Sequence, residues 1–222
     1  MLPFGLVCDS CNQYFGTKIE QKVLSQPPFV VERIAAAVKS KKGKYPSYCR
    51  NDSKISMFST GYTETVFLLG DPSLIQSSQR IILPYDLGLG QPSNILRLML
   101  KMGIELLSLT ENHNPYDAMF DMCRKHARYG IPGIYWDLGY VVMRRTKSFD
   151  IENSCEDNSS DKQTLYRYEM GQLANGDIIF SFIYRRHIFI TSLTTASLSI
   201  YESYYKAYLH DMFDLDIIKT KL

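Results

Sequence analysis

Apolar residues near the N-terminus recur at helical spacing. They stand four positions apart, as on one face of a helix, at Phe15, Ile19 and Val23. This pattern predicts a helix over residues 13–24, preceded by a strand or loop over residues 1–12. The two prolines at positions 27 and 28 end the helix, because proline cannot continue its hydrogen bonding. A second helix is predicted over residues 28–38, where proline is tolerated in the first turn.

The strongest amphipathic pattern of the chain covers residues 93–110. Its apolar stripe recurs at 3.6-residue spacing and comprises Ile95, Leu98, Met99, Met102, Leu106 and Leu109. Ser93 or Asn94 is suited to cap this helix, since a side-chain oxygen can accept a hydrogen bond from the first turn. A further helix is predicted over residues 115–128, ending before Gly130.

Short β-branched and aromatic segments predict strands around these helices. The predicted strands are residues 54–59, 63–69, 80–83, 138–145, 164–170, 177–184 and 188–192. Residues 151–163 are acidic and polar, which is typical of an exposed hairpin loop. The tyrosine-rich segment 197–213 is predicted as a closing helix. Because helices and strands are segregated rather than alternating, the pattern predicts an α+β fold.

The composition is typical of a globular protein, with 45% hydrophobic and 22% charged residues in a chain of 222. Lysine and arginine exceed the acids by 25 − 23 = 2, so only a local cluster of charge could indicate nucleic-acid binding. No apolar run has the length of a membrane span, and the N-terminus lacks the features of a signal peptide. The five cysteines are Cys8, Cys11, Cys49, Cys123 and Cys155. Their odd number and irregular spacing favour a reducing cytoplasm over a disulfide framework.

Cys8 and Cys11 form a Cys-x-x-Cys turn, a spacing that lets two thiolates bind one zinc ion. One such pair is half of a structural zinc site, which needs four protein ligands. The same spacing also serves redox chemistry. The thioredoxin-like strand–helix–strand pattern that would favour redox use is not found around this pair.

The string Cys8-x-x-Cys11-Asn12-x-x-Phe-Gly16-x-x-x-Glu20 resembles the second half of the zinc-containing HNH endonuclease motif. The resemblance implies a ββα element that acts on DNA with magnesium or another divalent metal, beside a structural zinc. It places Cys8 and Cys11 in the zinc site and makes Asn12 a metal-site and catalytic residue. It also implies that Gly16 lets the helix pack closely, and that Glu20 corresponds to an acid one turn later.

The HNH resemblance divides the chain into a partial ββα-metal element at residues 1–26 and a mixed helix and antiparallel-strand domain at residues 27–222. In the family, an acid–histidine pair that binds metal and activates water precedes the second cysteine pair by tens of residues. Only seven residues precede Cys8, and the first histidine is His113. Since a general base commonly contributes about 10²–10⁴-fold in rate, we expect little or no cleavage. A late start codon, a decayed gene or a fold kept for binding alone would each explain the departure, and the first two together are favoured.

A basic loop is the candidate nucleic-acid surface. Its lysines are Lys39, Lys41, Lys42 and Lys44, and Tyr45 and Tyr48 are interleaved with basic residues. Lysines neutralise phosphates and tyrosines stack on exposed bases. The same composition also serves a solvated loop with no ligand. A second basic set, on the helix predicted over residues 115–128, is Arg124, Lys125 and Arg128.

The remaining candidate ligands have simpler interpretations. Cys49 and Cys123 are predicted to be small buried hydrophobic residues, and Cys155 to be exposed in the polar loop. His113 is predicted in a turn between helices, His126 on a cationic helix face and His187 at a hairpin turn. The spacing of the four histidines matches no metal-binding motif.

Three functions are compatible with these observations. The first is an HNH endonuclease-related protein acting on DNA, inactive or incomplete because the acid–histidine half of the motif is missing. The second is a non-catalytic nucleic-acid-binding or interaction module. The third is an unrelated α+β protein in which the cysteine motif arose by chance.

Overall fold

The computed structural model describes residues 7–50, 55–59, 66–69, 89–110, 113–142, 166–198 and 215–220. It divides the chain into two compact units. One unit comprises Asp9–Ile95, and the other comprises Met1–Cys8 together with Leu96–Leu222. The boundary predicted after residue 26 lies inside the first of these units. Both units contain helices and antiparallel strands, so the predicted α+β class is confirmed at this level.

The first unit begins with a continuous helical stretch. It consists of α1 (Asp9–Tyr14), a π-helical turn (Phe15–Glu20) and α2 (Gln21–Leu24). The helix predicted over residues 13–24 is therefore confirmed, and it starts four residues earlier than expected. Its predicted apolar face is buried, with exposed fractions of 5%, 1% and 0% at Phe15, Ile19 and Val23. The third helix, α3 (Phe29–Ala35), confirms the helix expected after the two prolines.

A three-stranded antiparallel sheet follows in the same unit. Its strands are β1 (Ser47–Arg50), β2 (Ile55–Ser59) and β3 (Val66–Leu69), in the order β1-β2-β3. The strands predicted over residues 54–59 and 63–69 are confirmed. β1 was not predicted, because its sequence, SYCR, carries a single strand-favouring aromatic residue. Residues 80–83 lie outside the described parts of the chain.

The long amphipathic helix is α4 (Pro92–Leu107). It is followed by a 3₁₀ turn (Ala118–Phe120) and α5 (Asp121–Tyr129), which ends at Gly130 with a φ of 60°. The long helix and the stop at Gly130 are confirmed, whereas the α-helix predicted from residue 115 begins at Asp121, after the 3₁₀ turn. None of the helices in the described segments has the length and apolarity that crossing a membrane requires.

The face that α4 buries differs from the predicted stripe. Leu109 lies beyond the helix end and is 51% exposed, whereas Leu96, Leu100 and Leu107 are fully buried without having been predicted. The centre of the buried face is Gly103, where an added Cβ would lie 2.6 Å from a methyl group of Leu193. Because glycine has no apolar side chain, it does not contribute to a helical hydrophobic pattern. The close contact between Gly103 and Leu193 could therefore not be predicted from the apolar stripe.

The second unit is built on a five-stranded antiparallel sheet in the order β5-β6-β7-β4-β8. The strands are β4 (Trp136–Val142), β5 (Tyr166–Gln172), β6 (Ile178–Tyr184), β7 (His187–Ser192) and β8 (Leu215–Thr220). Four of them were predicted, and β8 was missed. In this order β4 and β5 are not neighbours, and the predicted hairpin loop at residues 151–163 lies outside the described residues. All but two residues of the predicted closing helix, 197–213, lie outside the described residues.

The buried Asp137 binds the backbone of residues 196–198, which follow strand β7. Asp137 is 3% exposed, and one of its carboxylate oxygens accepts a hydrogen bond from the Leu198 backbone N–H at 2.8 Å. The Asp137 N–H donates to the carbonyl of Ala196 at 2.8 Å. Leu198 thereby packs with Ile179 and Ile190 on one face of the sheet. Buried polar groups need such partners, so Asp137 has a structural role.

Candidate functional site

The cysteine knuckle lies at the start of the N-terminal helix. Cys8 directly precedes α1, whereas Cys11 and Asn12 lie within it, so residues 9–12 are helical rather than the predicted strand or loop. Cys8 and Asn12 are exposed, and Cys11 is half-buried. Gly16 lies in the π-helical turn, and a Cβ there would meet nothing within 4 Å. Close packing is therefore not what this glycine provides in the described structure.

The described residues do not make up a metal site. Nowhere among them do three or more histidine, cysteine, aspartate or glutamate side chains form a group that could hold an ion. Two cysteines supply half of the four ligands that structural zinc requires. Residues 1–6, where the second strand of a ββα element would lie, are outside the described part. Zinc and a catalytic divalent ion thus stay predictions of the motif.

The other cysteines do not extend the knuckle. Cys49 lies on β1 and is exposed, so its predicted burial is wrong. Cys123 on α5 is fully buried, as predicted. Burial raises the pKa of its thiol far above the ordinary range, which keeps it protonated and unsuited to bind a metal. Cys155 and His210 lie outside the described residues.

Residues 39–45, here named the basic turn, form a compact and well-bonded loop. The Ser40 N–H donates to the Lys44 carbonyl at 2.8 Å, and the Gly43 N–H donates to the Ser40 carbonyl at 2.9 Å. The Ser40 side-chain oxygen accepts a further bond from the Lys44 N–H at 3.2 Å. Gly43 adopts a φ of 74°, which glycine tolerates without steric cost. These hydrogen bonds stabilise the backbone that carries the lysines.

The basic turn concentrates positive charge at the surface of its unit. Its exposed cations are Lys39, Lys41, Lys42 and Lys44. The chain has no acidic residue between Glu32 and Asp52, and Glu32 itself is only 7% exposed. The ammonium group of Lys39 lies 5.0 Å from the ring centre of Tyr45, a distance at which cation and ring attract each other. The turn thus combines four exposed lysines with an aromatic ring.

The second basic set is engaged in holding local structure. The Arg124 guanidinium donates to the carbonyls of Pro115 and Tyr116 and pairs with Asp121. The Arg128 guanidinium lies 5.5 Å from the ring centre of Tyr129. Since the Arg124 donors already bond the chain that precedes α5, this set is a weaker phosphate-binding candidate than the basic turn.

The predicted location of His126 on a cationic helix face is wrong. His126 is fully buried instead of lying on a cationic surface, and its ring centre is 5.4 Å from that of Trp136. Its Nδ1 lies 3.5 Å from the Ile131 N–H, and in the described structure its Nε2 has no hydrogen-bond partner. Burial lowers the pKa of His126 below 6.5, and the nearby cationic Arg97 lowers it further.

His126 is expected to make the protein less stable in mild acid. Below pH 6.5 the unfolded chain protonates this histidine while the folded chain does not, so the free energy of unfolding falls with pH until the lowered folded-state pKa is reached. The loss is up to about 1.4 kcal/mol per pH unit for one proton. Urea unfolding of wild type and His126→Phe between pH 7.5 and 5 measures it. His126→Phe should show a flatter profile than the wild type; equal slopes in the two proteins would refute the assignment.

A second histidine makes a contact that the sequence did not reveal. His187 begins β7 after the turn Arg185–Arg186, as predicted, and is 6% exposed. Its Nδ1 lies 2.9 Å from the hydroxyl of Tyr140 on β4, and the two rings are stacked. The pair joins the neighbouring strands β4 and β7. We therefore assign it to packing of the sheet.

Comparison with known proteins adds no further assignment. No protein-family model matches the chain, and neither a curated protein nor a solved structure is significantly similar to it. The resemblance to the HNH family therefore rests on residues 8–20. Among the described residues, the basic turn has the geometry best suited to bind a ligand.

Proposed function

We propose that this chain is an HNH-related DNA-binding protein that contacts phosphates through the basic turn. The observation that carries the proposal is a hydrogen-bonded turn with four exposed lysines and no acid in the surrounding sequence from residue 33 to 51. Each phosphate that a lysine neutralises releases condensed counterions, so such a surface binds DNA in a salt-dependent way. A turn held by its own backbone loses little conformational freedom on binding.

The basic turn favours binding of the phosphate backbone over reading of bases. Lysine is a flexible point charge without the planar fork that recognises one base edge. Tyr45 and Tyr48 are both half-buried and could stack on an unpaired base. We therefore expect little sequence preference, and tighter binding where bases are unpaired.

The proposal is for binding rather than cutting. Of the HNH motif, the described residues contain Cys8, Cys11 and Asn12, whereas the acid–histidine half would precede Cys8, and the first histidine of the sequence is His113. A binding role needs only the lysines and the turn. DNA cleavage with magnesium or manganese that Asn12→Ala abolishes would instead support a metal-dependent nuclease.

Reversing the charge of the basic turn is expected to abolish DNA retention. In Lys41→Glu/Lys42→Glu/Lys44→Glu, three phosphate contacts are replaced by repulsion. For four contacts the wild-type dependence of log K on log salt has a slope of about −3.6, and losing three contacts removes about 2.7 of it. Fluorescence anisotropy with labelled duplex and single-stranded DNA, across a salt series, measures both quantities.

The matched control carries the same change of charge elsewhere. The turn variant Lys41→Glu/Lys42→Glu is compared with Lys18→Glu/Lys22→Glu, which has the same net charge and changes two exposed lysines of the N-terminal helical stretch. The control should retain most of the affinity if the turn is the binding surface. Equal loss in both variants would mean that overall charge alone governs retention, and unchanged binding by the turn variant would overturn the assigned surface.

A further inference from the structure

Strand β5 lies at the end of the five-stranded sheet and carries an unusual exposed face. In the order given by the described strands, its only neighbour is β6. Tyr166 and Tyr168 are 58% and 47% exposed, although large aromatic side chains are usually buried. Exposed sheet edges pair readily with further strands unless charge or shape prevents it. Here aromatic residues alternate with the charged residues Arg167 and Glu169.

The hydrogen bonds at the end of the β5–β6 hairpin determine which backbone groups of β5 point outward. The Leu173 N–H donates to the Asp177 carbonyl at 2.8 Å, so this pair is bonded across the hairpin. In an antiparallel ladder, bonded and non-bonded pairs alternate. Counting back along β5 in its register with β6, the bonded residues are Gly171, Glu169 and Arg167. The N–H and C=O groups that point away from β6 belong to Tyr166, Tyr168 and Met170.

We propose that β5 is a dimerisation edge, which pairs antiparallel with β5 of a second copy of this chain around a two-fold axis at Tyr168. In this register Tyr168 lies opposite its own copy, and the two residues exchange both backbone hydrogen bonds. Tyr166 lies opposite Met170 of the other copy and is bonded in the same way. The two five-stranded sheets would then form one continuous sheet.

Charge complementarity favours this register over those with an axis at either neighbouring residue. A two-fold axis at Tyr168 places Arg167 opposite Glu169 of the second copy, and Glu169 opposite Arg167. An axis at Glu169 or Arg167 would place that charge against itself, which is unfavourable for directly opposed side chains. A two-fold interface must be self-complementary, and the order Arg-Tyr-Glu satisfies this requirement.

The same pairing would cover the exposed aromatic residues. By register, Tyr168, Phe182, Phe189 and Tyr140 lie in one row across four strands. Ring centres in this layer are 6.2 Å apart for Tyr166–Phe182 and 6.5 Å apart for Phe182–Phe189. A second copy of β5 extends this layer. On the opposite face, Arg167 and Glu169 already lie 3.3 Å apart and would join their counterparts in a four-charge cluster.

The decisive experiment combines single charge reversals with their exchange. Sedimentation velocity of the full chain should show a concentration-dependent dimer. The dimer contains two symmetric pairs of residues 167 and 169. Arg167→Glu and Glu169→Arg each place like charges opposite one another in both pairs, so each should raise the dimer dissociation constant roughly tenfold or more. The double variant Arg167→Glu/Glu169→Arg restores complementarity and should restore the dimer. The side chains of Arg167 and Glu169 are 60% and 59% exposed, so folding is expected to tolerate these changes.

Amide hydrogen exchange identifies the paired edge independently. On dimerisation the Tyr166, Tyr168 and Met170 amides should become protected, whereas Arg167 and Glu169 are already protected by β6. A monomer at all concentrations would overturn the proposal, as would a dimer that ignores both single reversals. Outward amides that are protected in a protein shown by sedimentation to be monomeric would mean that another part of this chain covers β5, which also overturns it. Because none of these measurements involves DNA, the outcome is independent of the proposed function.

Discussion

Replacing Trp136 with alanine is expected to lower the free energy of unfolding by about 3–5 kcal/mol. The indole is the largest of the fully buried side chains, and its Nε1–H donates to the Ser192 carbonyl at 3.0 Å. It also lies against the buried ring of His126. Alanine would remove these contacts, open a cavity in a closely packed interior and leave the buried Ser192 carbonyl with the longer hydrogen bond from the Thr191 hydroxyl, at 3.5 Å. Urea unfolding followed by circular dichroism measures the loss.

Trp136→Phe is the control that separates packing from the hydrogen bond. It keeps an aromatic ring in the site and loses the Nε1–H, so we expect a loss of about 1–3 kcal/mol. If the alanine and phenylalanine variants were equally destabilised, filling of the site by the indole would not be its main contribution. If neither were destabilised, the site would have to collapse around the smaller side chains.

Replacing Arg97 with methionine is expected to cost about 3 kcal/mol, since hydrogen bonds from a charged donor are worth about 1.5–3 kcal/mol each. Arg97 is 8% exposed, and its guanidinium connects α4 to the end of α5. Its Nε donates to the Ala127 carbonyl at 2.9 Å, and one Nη donates to the Arg128 carbonyl at 2.6 Å. The last carbonyls of a helix lack helical partners, and a cation there also interacts favourably with the helix dipole.

Arg97→Lys tests whether the fork or the charge matters. Lysine keeps the charge but cannot reach two carbonyls with fixed planar geometry, so its stability should lie between wild type and Arg97→Met. Thermal and urea unfolding of the three proteins at pH 7.5 give the comparison. A stability of Arg97→Met within about 0.5 kcal/mol of wild type, the usual range for a surface substitution, would contradict the structural role.

The sequence indicates which residues are candidates for a metal site, but it does not show whether the fold brings enough ligands together to form one. The spacing of Cys8, Cys11 and Asn12 indicates metal chemistry, yet ligands complete a site only where the fold brings distant residues together. In the described part of the chain no such group forms. The lysines of the basic turn could be predicted, because local charge is visible in sequence. Their exposure and the bonded turn that carries them required the structure.

Sequence alone determined most of the local structure of this protein. Helical and strand periodicities depend on neighbours within a few residues, so the helix at Phe15–Val23, the long helix α4 and strands β4 to β7 could all be predicted. The tertiary structure decided what these elements meet. The face of α4 is centred on Gly103, His126 is buried, and β5 is left at the edge of its sheet. Each depends on residues far away in the chain, whose approach is set by packing and strand order rather than by the local pattern.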